Sequence, residues 1–82
     1  MFINKAKDGR NNICGTVIAQ TRISMKISQR VLADRLQLYG LDIDKNAIQR
    51  IESGQRFVTD IELAALSAVL HISLNALLEL PE

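Results

Sequence analysis

Aromatic side chains are nearly missing from this chain: Phe2, Tyr39 and Phe57 are the only three in 82 residues. With 48% hydrophobic residues overall, its core must therefore be aliphatic. The single cysteine, Cys14, excludes an internal disulfide, and neither a second cysteine nor the one histidine, His71, stands near it at metal-ligand spacing. That leaves no nucleophile–base pair, no clustered carboxylates and no metal set, so an enzyme is not expected and no cofactor is implied. The one proline, at position 81, leaves residues 1–80 free of helix breakers, and the four glycines are well separated. This pattern excludes a hairpin-rich sheet and predicts a compact all-α domain. No apolar run approaches the ~20 residues that span a bilayer. The opening "MFINKAKDGRNN" has no apolar signal core. A reducing, cytoplasmic setting without a membrane partner follows as the expectation.

Basic residues are absent from the last third of the chain. Residues 1–56 hold all ten Lys and Arg against five acids, a net of +5, whereas residues 57–82 carry four acids and a net of −4. A total of +1 therefore hides one basic end, as a polyanion-binding face requires.

What the chain does have is repeated helix punctuation. Residues 1–11 read as a flexible basic arm in which Phe2 and Ile3 are free to pack elsewhere. Residues 12–82 read as one domain of five helices, at about 13–25 with Asn12 as cap, 29–39, 45–53, 60–70 and 74–80. Ser28, Asp44, Thr59 and Ser73 each offer a side-chain oxygen to a free N–H of the following first turn. Each cap is straddled by an apolar pair: Ile27 with Leu32, Ile43 with Ile48, Val58 with Leu63, and Ile72 with Leu77. Such pairs are hydrophobic staples, and Thr59 with Glu62 adds a capping box. Gly40, Gly54 and His71 stand where helices end. Helical spacing assigns the core to Cys14, Ile18 and Met25, then Val31, Leu32, Ala33, Leu36 and Leu38. Ile48, Ile51, Leu63, Leu66, Val69, Leu70, Leu74, Leu77 and Leu78 complete it.

Residues 44–56, "DKNAIQRIESGQR", carry the chemistry. At 100° per residue, Lys45, Gln49, Ser53, Asn46 and Arg50 follow one another around one arc, and Ala47, Ile51 and Ile48 fill the opposite one. Two short helices joined by "GLDI" fit a helix-turn-helix, whose second helix enters the DNA major groove. Arg and Lys suit guanine O6 and N7, and Asn and Gln suit adenine N6 and N7, so Lys45, Asn46, Gln49 and Arg50 form a base-reading set. An ordinary solvated face carries the same residue types, so the arc alone does not decide the matter.

The ordered series "SQRVLADRL", "AIQRIESGQR", "TDIELAALSAVL" and "ISLNALLEL" resembles the phage repressor and Cro (XRE) family of helix-turn-helix domains across residues 13–80. The resemblance implies a compact five-helix bundle of the lambda-repressor-like DNA-binding type, with residues 29–53 as the helix-turn-helix. It further implies a transcriptional regulator, a repressor by preference, acting on double-stranded DNA as a weak homodimer. Gln29, Arg30, Ser53, Gln55 and Arg56 match phosphate-facing positions, and Gln29 also matches one that orients a recognition-helix residue. Arg22 and Glu52 match a structural ion pair. Three departures stand out: a longer link through "LYGLDID", apolar Val17, Ala19 and Ile23 on helix 1, and Lys26 in place of a usual glycine. A protein-interaction module, or an antitoxin-type partner protein that kept the fold, is the competing reading, so a toxin or regulator partner stays open. The segment "LNALLELPE" is the expected dimer contact, through Leu74, Leu77, Leu78 and Leu80.

Overall fold

Four helix starts carry the caps expected of them, and the residues of the four expected staples all lie in or against the core. The computed structural model describes residues 4–81, so the expected packing of Phe2 and Ile3 lies outside the described residues. Helices α1 (Gly15–Ser24), α2 (Gln29–Tyr39), α3 (Lys45–Glu52), α4 (Asp60–Leu70) and α5 (Leu74–Leu77) are the regular elements among them. The oxygens of Ser28, Asp44, Thr59 and Ser73 accept from the N–H groups of Val31, Ala47, Glu62 and Ala76. The capping box of Thr59 and Glu62 is complete.

Two boundaries differ from expectation. The first helix begins at Gly15 with Cys14 in the cap position and no side-chain bond from it, although the Asn12 oxygen does accept from Gly15 N as a cap would. The last helix ends at Leu77 instead of Leu80, where Glu79 takes a positive φ of 56° and breaks the helical path. Gly40 and His71 close α2 and α4 in the left-handed conformation. Lys26 also takes a positive φ of 60°, a small strain at the place where a glycine is usual.

Helix α3 lies against α1 and α2, while α4 covers α1 and α2 and carries α5. The radius of gyration is 12.2 Å, close to the roughly 12 Å of a folded chain this long. Cys14, Ile18, Leu32, Leu36, Ile48, Ile51, Leu66 and Leu77 are all but sealed in the core. Ile43, Ala47 and Ala65, absent from the expected core, are buried as well, the first as a staple residue and the second on the apolar arc of α3. Three expected core residues point outward: Val31, Leu38 and Leu74. Leu38, 90% exposed, lies some 200° around α2 from Leu36, so the helix turns it to solvent. Leu77 is buried and Leu78 half-buried, whereas Leu74 and Leu80 remain exposed, so the C-terminal leucines split between the core and the surface. Val17 packs on the core and Ile23 does not.

Candidate nucleic-acid interface

An eight-residue helix is too short to be stable alone, so α3 depends on its packing. Ala47, Ile48 and Ile51 anchor its back in the core. Asp44 caps its start, and Gln37 Nε2 donates to Ile43 O at 2.8 Å, pinning the long link against α2. Leu41 N and Gly40 N return to carbonyls of the last turn of α2, which shapes the turn between the two helices.

With its back fixed, α3 presents Lys45, Asn46, Gln49 and Arg50 to solvent, all exposed. Asn46, Gln49 and Arg50 share one shallow groove with Ser53 and Gln55. A second groove, beside the start of α3, brings Lys45 and Asn46 together with Arg30, Asp34 and Gln37 of α2. Thus the four expected base-reading residues, and Arg30, Ser53 and Gln55, lie on one continuous surface. Asp34 and Asp44 sit in the same surface, so its positive character is strongest toward Arg50 and Gln55.

The chain after α3 coils back over the helix end. Gln55 N and Arg56 N both donate to Arg50 O, at 2.9 and 3.2 Å, and Ser53 Oγ donates to the same carbonyl at 3.2 Å. Gly54, with φ of 84°, makes the sharp turn that this requires.

Beneath this surface lies a charged network. Arg22 Nε donates to Glu52 Oε2 at 2.7 Å and Arg22 Nη2 to Glu52 Oε1 at 3.1 Å, a two-pronged pair. Gln29 Nε2 donates to Glu52 Oε1 at 3.0 Å, and Arg22 Nη1 to Ile27 O at 3.0 Å. The hydrogen bond to Glu52 raises the Arg22 pKa further above its ordinary value. Gln29 thus orients Glu52, itself a residue of α3.

Arg56 has a partner within the fold. Both of its terminal nitrogens donate to Glu62, at 3.0 and 2.8 Å, so its charge is already matched within the fold. Burial pushes the Glu62 carboxyl up, but the bonds from Arg56 and Thr59 and the charge of Arg56 outweigh it and hold the carboxyl below its usual range. The capping box also uses Glu62, which is why an acid tolerates this buried position. Sequence reading found the box; the cross-link to Arg56 had no local signal.

Cys14 is buried and its thiol is pushed up by that burial, which makes it an inert core residue. Among the described residues, no group of acidic, His or Cys side chains is placed to hold a metal, and no helix is long and apolar enough to cross a membrane.

Residues 18–77 match the family model described as helix-turn-helix. The chain is also similar in structure to the restriction-modification controller protein C.AhdI from Aeromonas hydrophila, solved by high-resolution crystallography. The TM-score is 0.68 at 25% sequence identity, with 78% of this chain and 86% of that chain covered. No curated protein matches the sequence significantly. With the match covering most of its length, the chain belongs to the XRE-type helix-turn-helix family of DNA-binding transcription regulators.

Proposed function

We propose that this protein reads a specific DNA sequence in the major groove with α3 and represses transcription by occupying its site. One observation carries the reading: Lys45, Asn46, Gln49 and Arg50 stand exposed on one face of a helix whose opposite face is locked into the core. Their side chains are the types that make paired bonds to guanine and adenine edges. Gln29, Arg30, Ser53 and Gln55 flank them and serve the phosphates, which set register without reading sequence. Arg56 adds to that set only by loosening its hold on Glu62. Repression by occlusion needs nothing beyond this contact.

A near-palindromic operator presents half-sites ~34 Å apart, so two copies must pair. Exposed Leu74 and Leu80 supply the homodimer contact, on the acidic part of the chain and away from the α3 face. The likeness to a restriction-modification controller supports regulation of transcription as the output.

Selection of bound duplexes from a random pool, followed by titration of the selected sequence at several salt concentrations, tests the proposal. Binding should weaken as salt rises, because each neutralised phosphate releases counterions. Arg50→Ala should weaken the selected duplex by about 1–3 kcal/mol and relax preference at one base pair. A folded protein that enriches no sequence and binds no duplex would refute the reading. It would favour a protein-interaction module instead, for which Leu38, Tyr39 and Ile61 offer exposed apolar surface.

A further inference from the structure

The residues just before the first helix make five hydrogen bonds to residues 51–56, at and beyond the end of α3. Arg10 Nη2 donates to Glu52 O at 2.7 Å, Asn11 N to Gly54 O at 2.7 Å, and Asn11 Nδ2 to Gln55 O at 2.8 Å. Asn12 Nδ2 donates to both Ile51 O, at 3.0 Å, and Arg56 O, at 2.8 Å, while its oxygen accepts from Gly15 N. Three consecutive residues thereby engage the carbonyls of Ile51, Glu52, Gly54, Gln55 and Arg56. A helix leaves its last carbonyls without intrahelical partners, and the Arg10 cation meets the negative end of the α3 dipole.

There is no slack in this arrangement. A Cβ on Gly54 would come within 2.7 Å of the Arg10 guanidinium carbon, and one on Gly15 would collide with the Ile51 carbonyl oxygen. Arg10 is braced in turn: its N–H donates to Asp8 Oδ1 and its carbonyl accepts from Ala6 N. Residues 10–12 also precede the 18–77 region that matches the family model.

We propose that Arg10, Asn11 and Asn12 form a positioning strap that sets the pose of the Ser53–Arg56 loop against α3, and so governs sequence discrimination without touching DNA. The inference rests on the DNA reading above. Phosphate contacts fix the register in which base contacts are made. Ser53 and Gln55 share a groove with Asn46, Gln49 and Arg50, so a shift of the loop misaligns the base readers. The three strap residues hold that loop through its backbone, independently of its side chains.

The test uses the full chain with Arg10→Met, Asn12→Asp and Asn11→Ala. Arg10→Met keeps the aliphatic packing against Gly54 and removes the donor. Asn12→Asp keeps the acceptor for Gly15 N and removes both donated bonds. Asn11→Ala removes only the exposed bond to Gln55 O, a carbonyl that can turn to water instead, and it also deletes Asn11 Oδ1, which is buried without a partner. It therefore stays folded even if the other two variants do not. Each variant is titrated with the duplex selected by the unmodified protein and with a scrambled duplex, across salt.

Arg10→Met and Asn12→Asp should lower the specific-to-scrambled affinity ratio by about tenfold, the scale of one mismatched base pair, with the scrambled affinity and salt slope unchanged. Asn11→Ala should lower that ratio by about threefold, and Arg10→Lys should recover part of the Arg10→Met loss, because a donor returns near Glu52 O. Unchanged discrimination in folded Asn11→Ala and Arg10→Met would overturn the strap. So would equal loss on both duplexes with a salt slope reduced by about one phosphate, which would make Arg10 a direct DNA contact. If the unmodified protein binds neither duplex, the failure belongs to the DNA reading itself.

Discussion

Removing Glu52 should unfold the domain sooner, although simple electrostatics predicts a gain in DNA affinity from deleting an acid beside a basic face. The Glu52 side chain is 8% exposed and that of Arg22 14%. Glu52→Ala deletes the acceptor of three hydrogen bonds, two from Arg22 and one from Gln29, and leaves Arg22 with only the Ile27 carbonyl. Breaking a buried pair by removing one partner costs roughly 3–5 kcal/mol, since the remaining charge stays desolvated and unmatched. Because Arg22 keeps one acceptor and some solvent, the lower end, about 3 kcal/mol, applies. At about 0.05–0.15 kcal/mol per residue, a chain this long has some 4–12 kcal/mol in all. The loss is thus a large fraction of the total. At about 4–8 °C per kcal/mol, the melting temperature should fall by at least ~12 °C.

Urea unfolding followed by circular dichroism, on Glu52→Ala, Arg22→Ala and the double variant, measures the term directly. The double variant should lose less than the sum of the singles, by about 1–3 kcal/mol, because the second deletion strands nothing further. Losses under about 1 kcal/mol that add within ~0.5 kcal/mol would refute the reasoning. So would tighter DNA binding at full stability.

Other expectations follow from the same structure. Glu62 has a folded pKa below its ordinary 4.5, so its contribution is fully present above that value and lost as pH falls through the folded one. Glu62→Gln should therefore destabilise the protein at pH 7 and flatten the acid limb of a urea-midpoint series run below about pH 4.5. Arg56→Ala should lower stability by about 1 kcal/mol, a modest figure because the Arg56 side chain is one-third exposed. The slope of DNA affinity against salt should change by less than one phosphate contact; a full unit would show that Arg56 leaves Glu62 for the backbone. Leu80→Glu should weaken self-association in analytical ultercentrifugation with and without a palindromic duplex, while leaving the melting temperature nearly unchanged. A strict monomer that fills each half-site independently would exclude the C-terminal contact.

The parts of this fold legible in the sequence are those decided within one helical turn. Ser28, Asp44, Thr59 and Ser73 accept the expected first-turn N–H groups, since cap and donor are three residues apart. The exposed arc of Lys45, Asn46, Gln49 and Arg50 followed from helix geometry alone. Leu38 was misassigned by apolar character, although its angular distance from Leu36 already turned it outward. Ile43 and Ala47 were legible as a staple residue and as part of the apolar arc, though not assigned to the core, whereas the small Ala65 carries little apolar signal of its own. The Arg56–Glu62 pair and the bonds of Arg10, Asn11 and Asn12 escaped for a different reason. They join residues across turns or some forty positions apart, and polar side chains in loops give no periodic signal of their targets.

These long-range bonds bear on how so short a helix would read DNA under the proposed function. Eight residues lack the intrinsic helicity to hold four side chains at base-reading spacing. The burial of Ala47, Ile48 and Ile51 fixes the rotation of α3 about its axis, but an aliphatic contact alone tolerates sliding along it. Directional bonds remove that freedom: Asp44 holds the first turn, the Arg22–Glu52–Gln29 network the last, and Arg10 to Asn12 the carbonyls beyond. Of these residues only Gln29 matches a phosphate-facing position, and none of the others belongs to the base-reading or phosphate sets. Under the proposed reading, discrimination between operators would therefore depend on side chains that make no sequence-reading contact, and substitutions there should alter specificity before they abolish binding.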